Sequence, residues 1–446
     1  MTTPIKIGIV SLGCDKNRVD TEVMLQNLRQ GGYEITSDPA LADVIIVNTC
    51  AFLESARKES IDTVLEMFHH KEDGTCKKII VTGCLGQRFG SELLAELDEA
   101  DAIVGTNEYQ NICQIVAETL SGERKLYNGS NVCLTFGERM LTTPKHFAYL
   151  KIADGCNNFC SYCLIPHIRG RFRSVPMEEV VREAQSLASH GVKEFILVAQ
   201  DTTKYGQDLY GEPKLVQLLR ALSAIEGVKW LRLLYCYPEL TDENLIREIE
   251  TNPKIAKYID IPLQHVDDGI LRAMNRHSTE DGIEKLFERL NNSQPKISVR
   301  STFIAGFPGE TAETVQKVEN FLLKYKLRNV GFFAYSREDG TLAAKMPNQV
   351  SSRTKQAYVK RLYKTQYKVI SQLQNEDVGK VYECIVDEFS NKQEDTYVYR
   401  GRTQFMAPEI DGIVYVYSAK PLVAGQFVNV KITNSLEYDL IGEVVE

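Results

Sequence analysis

Three cysteines crowd one short stretch, Cys156-Asn157-Asn158-Phe159-Cys160-Ser161-Tyr162-Cys163. Three thiolates in one loop are soft donors suited to zinc or to an iron–sulfur cluster. A structural zinc site takes a fourth Cys or His at short spacing, and His167, four residues beyond Cys163, keeps that ion open. A cubane takes four ligands, so a trio with no obvious fourth leaves one iron exposed for a small molecule to bind.

A second trio is scattered. Cys14 ends Lys6-Ile7-Gly8-Ile9-Val10-Ser11-Leu12-Gly13-Cys14, Cys50 ends Val44-Ile45-Ile46-Val47-Asn48-Thr49-Cys50, and Cys84 ends Ile79-Ile80-Val81-Thr82-Gly83-Cys84. Each follows a short apolar run of strand type, with Gly or Thr just before it. In an open α/β sheet, ligands gather at the carboxyl ends of the strands. Three separate loops can therefore deliver three thiolates to one point. Singly, each cysteine reads as a small buried residue; their equivalent positions favour a joint cluster site. The other five, Cys76, Cys113, Cys133, Cys236 and Cys384, share neither arrangement and read as filler.

The elements that must hold these trios fall into three stretches. Residues 1–135 alternate strands with helices (near Asp20–Leu28, Glu54–Phe68 and Gln87–Leu97), the pattern of an N-terminal parallel α/β domain. Residues 142–375 alternate again. Candidate strands are Ala148–Ile152, Glu194–Ala199, Trp230–Cys236, Tyr258–Pro262, Ile297–Ile304 and Asn329–Tyr335, and a polar connector helix follows at Ser352–Gln374. Six such repeats predict an open or partial (β/α) barrel, with the Cys156 loop at its carboxyl rim. Residues 376–446 lose the helical period and read as five short strands, a small OB-like all-β barrel.

Composition narrows the class. Of 446 residues, 43% are hydrophobic and 25% charged, as in soluble globular chains. No apolar run is long enough to span a membrane. The opening Met1-Thr2-Thr3-Pro4-Ile5-Lys6 has no signal-peptide core, so a cytoplasmic location and no membrane partner are expected. In that reducing compartment eleven cysteines call for metal, redox chemistry or burial rather than disulfides. The net charge is −8. The last 71 residues carry thirteen Asp/Glu against six Lys/Arg, which favours a basic partner over a polyphosphate.

The Cys-x-x-x-Cys-x-x-Cys loop, with Tyr162 before its last cysteine, resembles the signature of the radical S-adenosylmethionine (SAM) superfamily over residues 145–335. That likeness implies a [4Fe–4S] cluster on Cys156, Cys160 and Cys163, with SAM chelating the fourth iron and yielding a 5′-deoxyadenosyl radical. Both trios, followed by a small barrel, resemble the methylthiotransferase family over essentially the whole chain. Membership implies a second [4Fe–4S] cluster on Cys14, Cys50 and Cys84 that delivers sulfur, a TRAM barrel that docks substrate, and two SAM molecules, one as methyl donor and one as radical source. An electron donor is implied as well.

Four segments are similar to the branch acting on an aspartate β-carbon of small-subunit ribosomal protein S-twelve, free or on the subunit. They are Ser11-Leu12-Gly13-Cys14-Asp15-Lys16-Asn17, Gln200-Asp201-Thr202-Thr203-Lys204-Tyr205-Gly206, Tyr258-Ile259-Asp260-Ile261-Pro262-Leu263-Gln264-His265 and Ala407-Pro408-Glu409-Ile410-Asp411-Gly412. The acidic tail points away from tRNA. The alternatives are a tRNA adenosine methylthiotransferase and a non-catalytic, metal-stabilised binding adaptor; zinc in place of iron marks the latter.

Further expectations attach to the barrel rim. Tyr162, Gln200, Asp201, Arg300 and Gly306 are the candidate cofactor contacts beyond the cysteines. The superfamily has a glycine-containing strand motif beside the adenine, and Thr302 departs from it, so Gly306-Phe307-Pro308-Gly309-Glu310 reads equally as a helix-capping turn. Arg169-Gly170-Arg171-Phe172-Arg173 reads by default as a solvated basic loop, with cluster neutralisation or a grip on an acidic substrate as its other readings. His265 reads as a satisfied rim histidine rather than an acid or base.

Overall fold

The computed structural model describes residues 4–129, 134 and 136–445, so Cys133 lies outside the described residues. The first sheet contains β1 (Lys6–Ser11), β2 (Glu34–Thr36), β3 (Val44–Thr49), β4 (Lys78–Gly83), β5 (Ala102–Val104) and β6 (Lys125–Tyr127). Its order is β2-β1-β3-β4-β5-β6 and every pairing is parallel. Helices cover both faces, so β3 is buried along its whole length and can be almost purely apolar. The edge strands β2 and β6, three residues each and partly exposed, carry no apolar run and were not anticipated.

The second sheet adds β7 (Phe147–Lys151), β10 (Glu194–Val198), β11 (Trp230–Leu233), β12 (Ile255–Asp260), β13 (Ser298–Ala305) and β14 (Asn329–Ala334), with a two-stranded ribbon of β8 (Ala153–Asp154) and β9 (Arg173–Ser174) between the first two. The order β14-β13-β12-β11-β10-β7 follows the chain and is parallel throughout, so the sheet curves without closing: a partial barrel. An unanticipated helix, Glu280–Asn291, carries a weak helix former, Gly282, in its first turn, and the Gly282 N–H donates to the Thr279 cap. The long helix Ser352–Asp377 packs along the β13–β14 edge. No helix among the described residues is long and apolar enough to cross a membrane.

The third unit closes β15 (Val381–Gln393), β16 (Thr396–Thr403), β17 (Val414–Ser418), β18 (Phe427–Leu436) and β19 (Asp439–Val445) into a barrel ordered β15-β16-β17-β19-β18. It is fastened to the second sheet by buried charge. Arg402 meets Glu194 and Asp387 at 2.8 Å each. Arg232 meets Glu194 at 2.8 Å and the Gln404 carbonyl at 2.8 Å. Arg300 meets Asp260 at 3.1 Å and Asp411 at 3.4 Å. Thus part of the tail's acidity, Asp387 and Asp411 included, is spent inside the molecule rather than on an outward face.

Candidate functional site

The scattered trio converges where the parallel strands end. Cys14 immediately precedes the helix Asp15–Gln30, Cys50 follows β3, and Cys84 opens the helix Cys84–Glu96. Gly13 has φ +89°, and a Cβ there would lie 2.8 Å from Cys50 Cβ and 3.1 Å from its Sγ, so only glycine lets the two loops touch. Asn17 ties them, its Nδ2 donating to the carbonyls of Leu12 (2.9 Å) and Thr49 (3.0 Å). Ser60 and the Cys50 backbone exchange hydrogen bonds. Cys14 is exposed, Cys50 half-buried and Cys84 buried. Burial pushes the Cys84 thiol up to about 12 against the pull of Arg169, and Cys14 and Cys50 push it the same way.

The compact trio sits past β8. Gly155, φ +78°, would put a Cβ 2.2 Å from the Arg171 carbonyl, and the Cys156 N–H donates to the Gly170 carbonyl at 3.1 Å. Burial raises Cys156 to about 11, with Cys160 adding to the shift. It raises Cys163 to about 12, with Cys160 and Cys156 adding. Cys84, Cys156 and Cys163 therefore keep their protons at neutral pH, and a metal must displace those protons to bind. His167 is exposed and on a separate short helix, Ile165–Ile168. Among the described residues no three His, Cys, Asp or Glu donors converge tightly enough for a single metal ion.

Arg169 ties the scattered trio to Asp154, at the base of the compact loop. It is buried, contrary to its reading as a solvated loop residue. Its Nη2 donates to Asn17 Oδ1 at 2.7 Å and lies 3.6 Å from Cys84 Sγ. Its Nη1 reaches Asp20 at 2.6 Å and Asp154 at 3.2 Å. Lys151 pairs with Asp20 and stands 3.7 Å from Asp154. Two carboxylates and two cations thus balance in a dry seam, which such charges need. Asp154 also accepts from Gln200 Nε2 and the Gly155 N–H, at 2.9 Å each. Its pKa lies well below the ordinary value because Arg169 and Lys151 overcome the burial that would raise it.

The expected cofactor contacts divide. Tyr162 packs edge-on against Phe307, 6.4 Å between centroids, beside the compact trio. Gln200 keeps a buried Oε1 without a partner. Asp201 lies under the loop, accepting from Asn158 Nδ2 at 3.0 Å and from Thr203 Oγ1 at 2.5 Å. Arg300 already has two carboxylate partners, one of them Asp411 of the third unit, so it fastens the barrels. The Gly306 N–H does not face an open rim; it donates to Glu310. The buried His265 accepts from the Asp267 N–H at Nδ1 (2.9 Å) and donates from Nε2 to Glu310 (3.1 Å), a satisfied histidine.

Sequence reasoning missed Arg276. It is buried, its Nη2 donates to the Pro262 carbonyl at 3.0 Å, and its Nε and Nη1 have no hydrogen-bond partner among the described residues. It lies 4.2 Å over the ring of Tyr237, whose hydroxyl is 3.8 Å from Cys160 Sγ. A buried guanidinium with orphan donors beside three thiols is what an anionic ligand there would need. The Arg in Met274-Asn275-Arg276 offered no periodic or spacing signal.

A cavity of about 350 Å³ opens on Cys14. Gly13, Cys14, Asp15 and Arg18 of the first unit, Tyr149 and Tyr235 of the second, and Glu409 and Ile410 of the third line it. Glu409 is held there by Arg18 at 2.7 Å and by the Tyr149 hydroxyl at 2.8 Å. All three units meet at the most exposed cysteine of the scattered trio.

Residues 150–322 match the radical SAM superfamily, residues 6–105 the uncharacterized protein family UPF0004, and residues 378–445 the TRAM domain. The radical S-adenosylmethionine methyltransferase TsrM from Kitasatospora setae shares the fold at a TM-score of 0.54 and 14% identity, over 74% of this chain and 75% of that one. The cobalamin-dependent radical enzyme OxsB shares it at 0.51 and 12%, over 83% and 56%. An N-terminal parallel sheet, a partial radical SAM barrel and a TRAM barrel thus define the architecture as that of a radical SAM enzyme.

Full-length relatives narrow it. The ribosomal protein uS12 methylthiotransferase RimO of Clostridium botulinum is 48% identical over 99% of this chain and 98% of its own. RimO of Clostridium tetani is 46% identical over 100% and 99%. The chain belongs to the RimO family of methylthiotransferases.

Proposed function

We propose that this protein adds a methylthio group to the β-carbon of an aspartate in ribosomal protein uS12. Cys156, Cys160 and Cys163 would hold one [4Fe–4S] cluster, and Cys14, Cys50 and Cys84 a second. Those groups and SAM, when bound, supply hydrogen abstraction and the sulfur and methyl that are transferred. The observation that carries the reading is the cavity on Cys14, walled by all three units. The chain's own share is to bind, orient and exclude water. Arg276 offers its two free donors to the carboxylate of a ligand at the compact trio, a role expected earlier of Arg300. Tyr162 and Phe307 wall that side with apolar surface. Arg169 offsets negative charge at Cys84 while Asn17 keeps the scattered loops in register. Asp15 and Glu409 reach the cavity already paired with Lys16 and Arg18, so its polar edge is charge-balanced.

The units 1–135, 142–375 and 376–446 correspond, in this reading, to sulfur delivery, radical generation and substrate docking. An electron donor is also required. The test is anaerobic incubation of reconstituted enzyme with uS12 and, separately, with tRNA, read by mass spectrometry. One methylthio increment on the uS12 aspartate is expected. A modified adenosine with unmodified uS12 would overturn the substrate, and zinc with little iron in the purified protein would overturn the chemistry.

A further inference from the structure

The helix Ser352–Asp377 departs from the charge of the chain around it. Between Ser352 and Asn375 stand six Lys/Arg (353, 355, 360, 361, 364, 368) and no Asp or Glu, in a chain whose net charge is −8. Two of the six are used internally: Arg361 pairs with Glu319, and Lys355 donates to the Tyr335 carbonyl at 2.9 Å. Arg353, Lys360, Lys364 and Lys368 are exposed and have neither ion-pair nor hydrogen-bond partner among the described residues.

Lys360, Tyr363, Lys364, Tyr367 and Lys368 recur at helical spacing and form one outward stripe. At 1.5 Å rise per residue, successive lysines stand about 6 Å apart. A nucleic-acid strand advances about 3.4 Å per nucleotide, so each lysine interval spans roughly two phosphates.

Aromatic surface lies between the cations. Tyr363 is 40% exposed and Tyr367 48%. Tyr438, in the β18–β19 turn, is 45% exposed, and its phenol is raised by burial, then by Tyr363, Glu437 and Tyr367, so the three rings share one patch. Tyr363 is braced edge-on against Phe332 at 5.0 Å, and its hydroxyl accepts from the Phe332 N–H at 3.4 Å. Glu437 is the one carboxylate that the Tyr438 phenol senses, and Glu376 bounds the far end of the stripe.

From these observations we infer that this face binds RNA, lysines on phosphates and tyrosine rings on bases. Unpaired ammonium groups on a net-negative chain select a polyanion, and flat exposed rings between them select one with stackable faces. An acidic protein would use the lysines and leave the rings idle. RNA binding here is independent of the reaction proposed above. It supplies a reason for substrate to be met on an RNA-bearing particle rather than as a free chain.

The test is fluorescence anisotropy of the full chain with a short labelled oligouridine across about 50–200 mM salt. Binding that weakens with salt is expected. Lys360→Gln/Lys364→Gln/Lys368→Gln should lower the log–log salt slope by about 2. Tyr367→Leu should weaken binding about tenfold at every salt concentration. All of these substitutions retain good helix formers, and thermal melts should match wild type. The inference is overturned if wild type fails to bind at about 50 mM salt, or if neither variant changes affinity. A polyglutamate peptide that displaces the RNA at equal concentration would also overturn it, marking the face as a docking site for acidic protein.

Discussion

The two cysteine trios solve one problem, holding three thiols around a common point, by opposite means. Cys156, Cys160 and Cys163 lie within eight residues, and a single loop after β8 carries them. Cys14, Cys50 and Cys84 come from three loops that only the parallel pairing of β1, β3 and β4 brings together. The compact trio needs a loop to fold; the scattered one needs a domain. The scattered trio accordingly leans on long-range partners, Asn17 across two loops and Arg169 from another unit. The compact trio has Asn158, Asp201 and Tyr237 close about it.

The sharpest way to break this comparison is to remove one thiol from each side. Cys156→Ala should lose about half the bound iron and all release of deoxyadenosine from SAM, whereas Cys84→Ala should lose a similar share of iron and keep that release. Iron analysis and chromatography of the SAM products check both. Unchanged iron in Cys84→Ala would show that the scattered trio is not a metal site.

Arg169→Met strips Asp20 and Asp154 of their shared guanidinium. A loss of about 3 kcal/mol in denaturant unfolding is expected, since carboxylates would be left buried with only Lys151 beside them. The same change should shift the reduction potential of the cluster at Cys84 downward, read by electron paramagnetic resonance titration. If only the compact cluster moves, the link between the trios runs the other way.

Gly13→Ala and Gly32→Ala form a matched pair. Both glycines have positive φ, +89° and +87°, but a Cβ at Gly32 meets nothing within 4 Å. Gly32→Ala should cost about 1 kcal/mol of left-handed strain. Gly13→Ala should cost about 2 kcal/mol and also lower iron at the scattered trio by displacing Cys50. Equal iron in the two variants would mean the loops tolerate separation.

The smallest effect concerns docking of the third unit. For Glu194, burial opposes ionisation, but Arg402 and Arg232 pull its pKa below the ordinary value. For Asp387, burial likewise opposes, and Arg402 and His146 pull it down. Folded values below unfolded ones mean this stabilisation is complete only above about pH 5 and is lost as pH falls through the folded values. Unfolding below about pH 4 should steepen by roughly 1 kcal/mol per pH unit. Arg402→Met should reduce that steepening, leaving the part that Arg232 and His146 sustain.

Legibility in the sequence followed the reach of the signal. The apolar runs of β1, β3 and β4 and the loop spacing of Cys156, Cys160 and Cys163 are local, and reading them needed only neighbours. Strands β2 and β6 have three residues each and half-open faces, so no periodicity marks them. Arg169 was misread, Arg276 was missed and the partners of Arg300 were not named, all for one reason. A guanidinium's partners lie tens to hundreds of residues away, and composition says only that a partner is needed.

By itself the sequence determined the order of the three units, the parallel character of the first two and the two sets of thiols, because strand period and residue chemistry are carried by adjacent residues. Tertiary structure alone decided that Arg169 is buried between Cys84 and Asp154, that Arg276 rather than Arg300 keeps free donors, and that Glu409 reaches the cavity at Cys14. Those outcomes depend on where distant chains cross and which charges lose water there, and burial, not proximity in sequence, sets what such groups do.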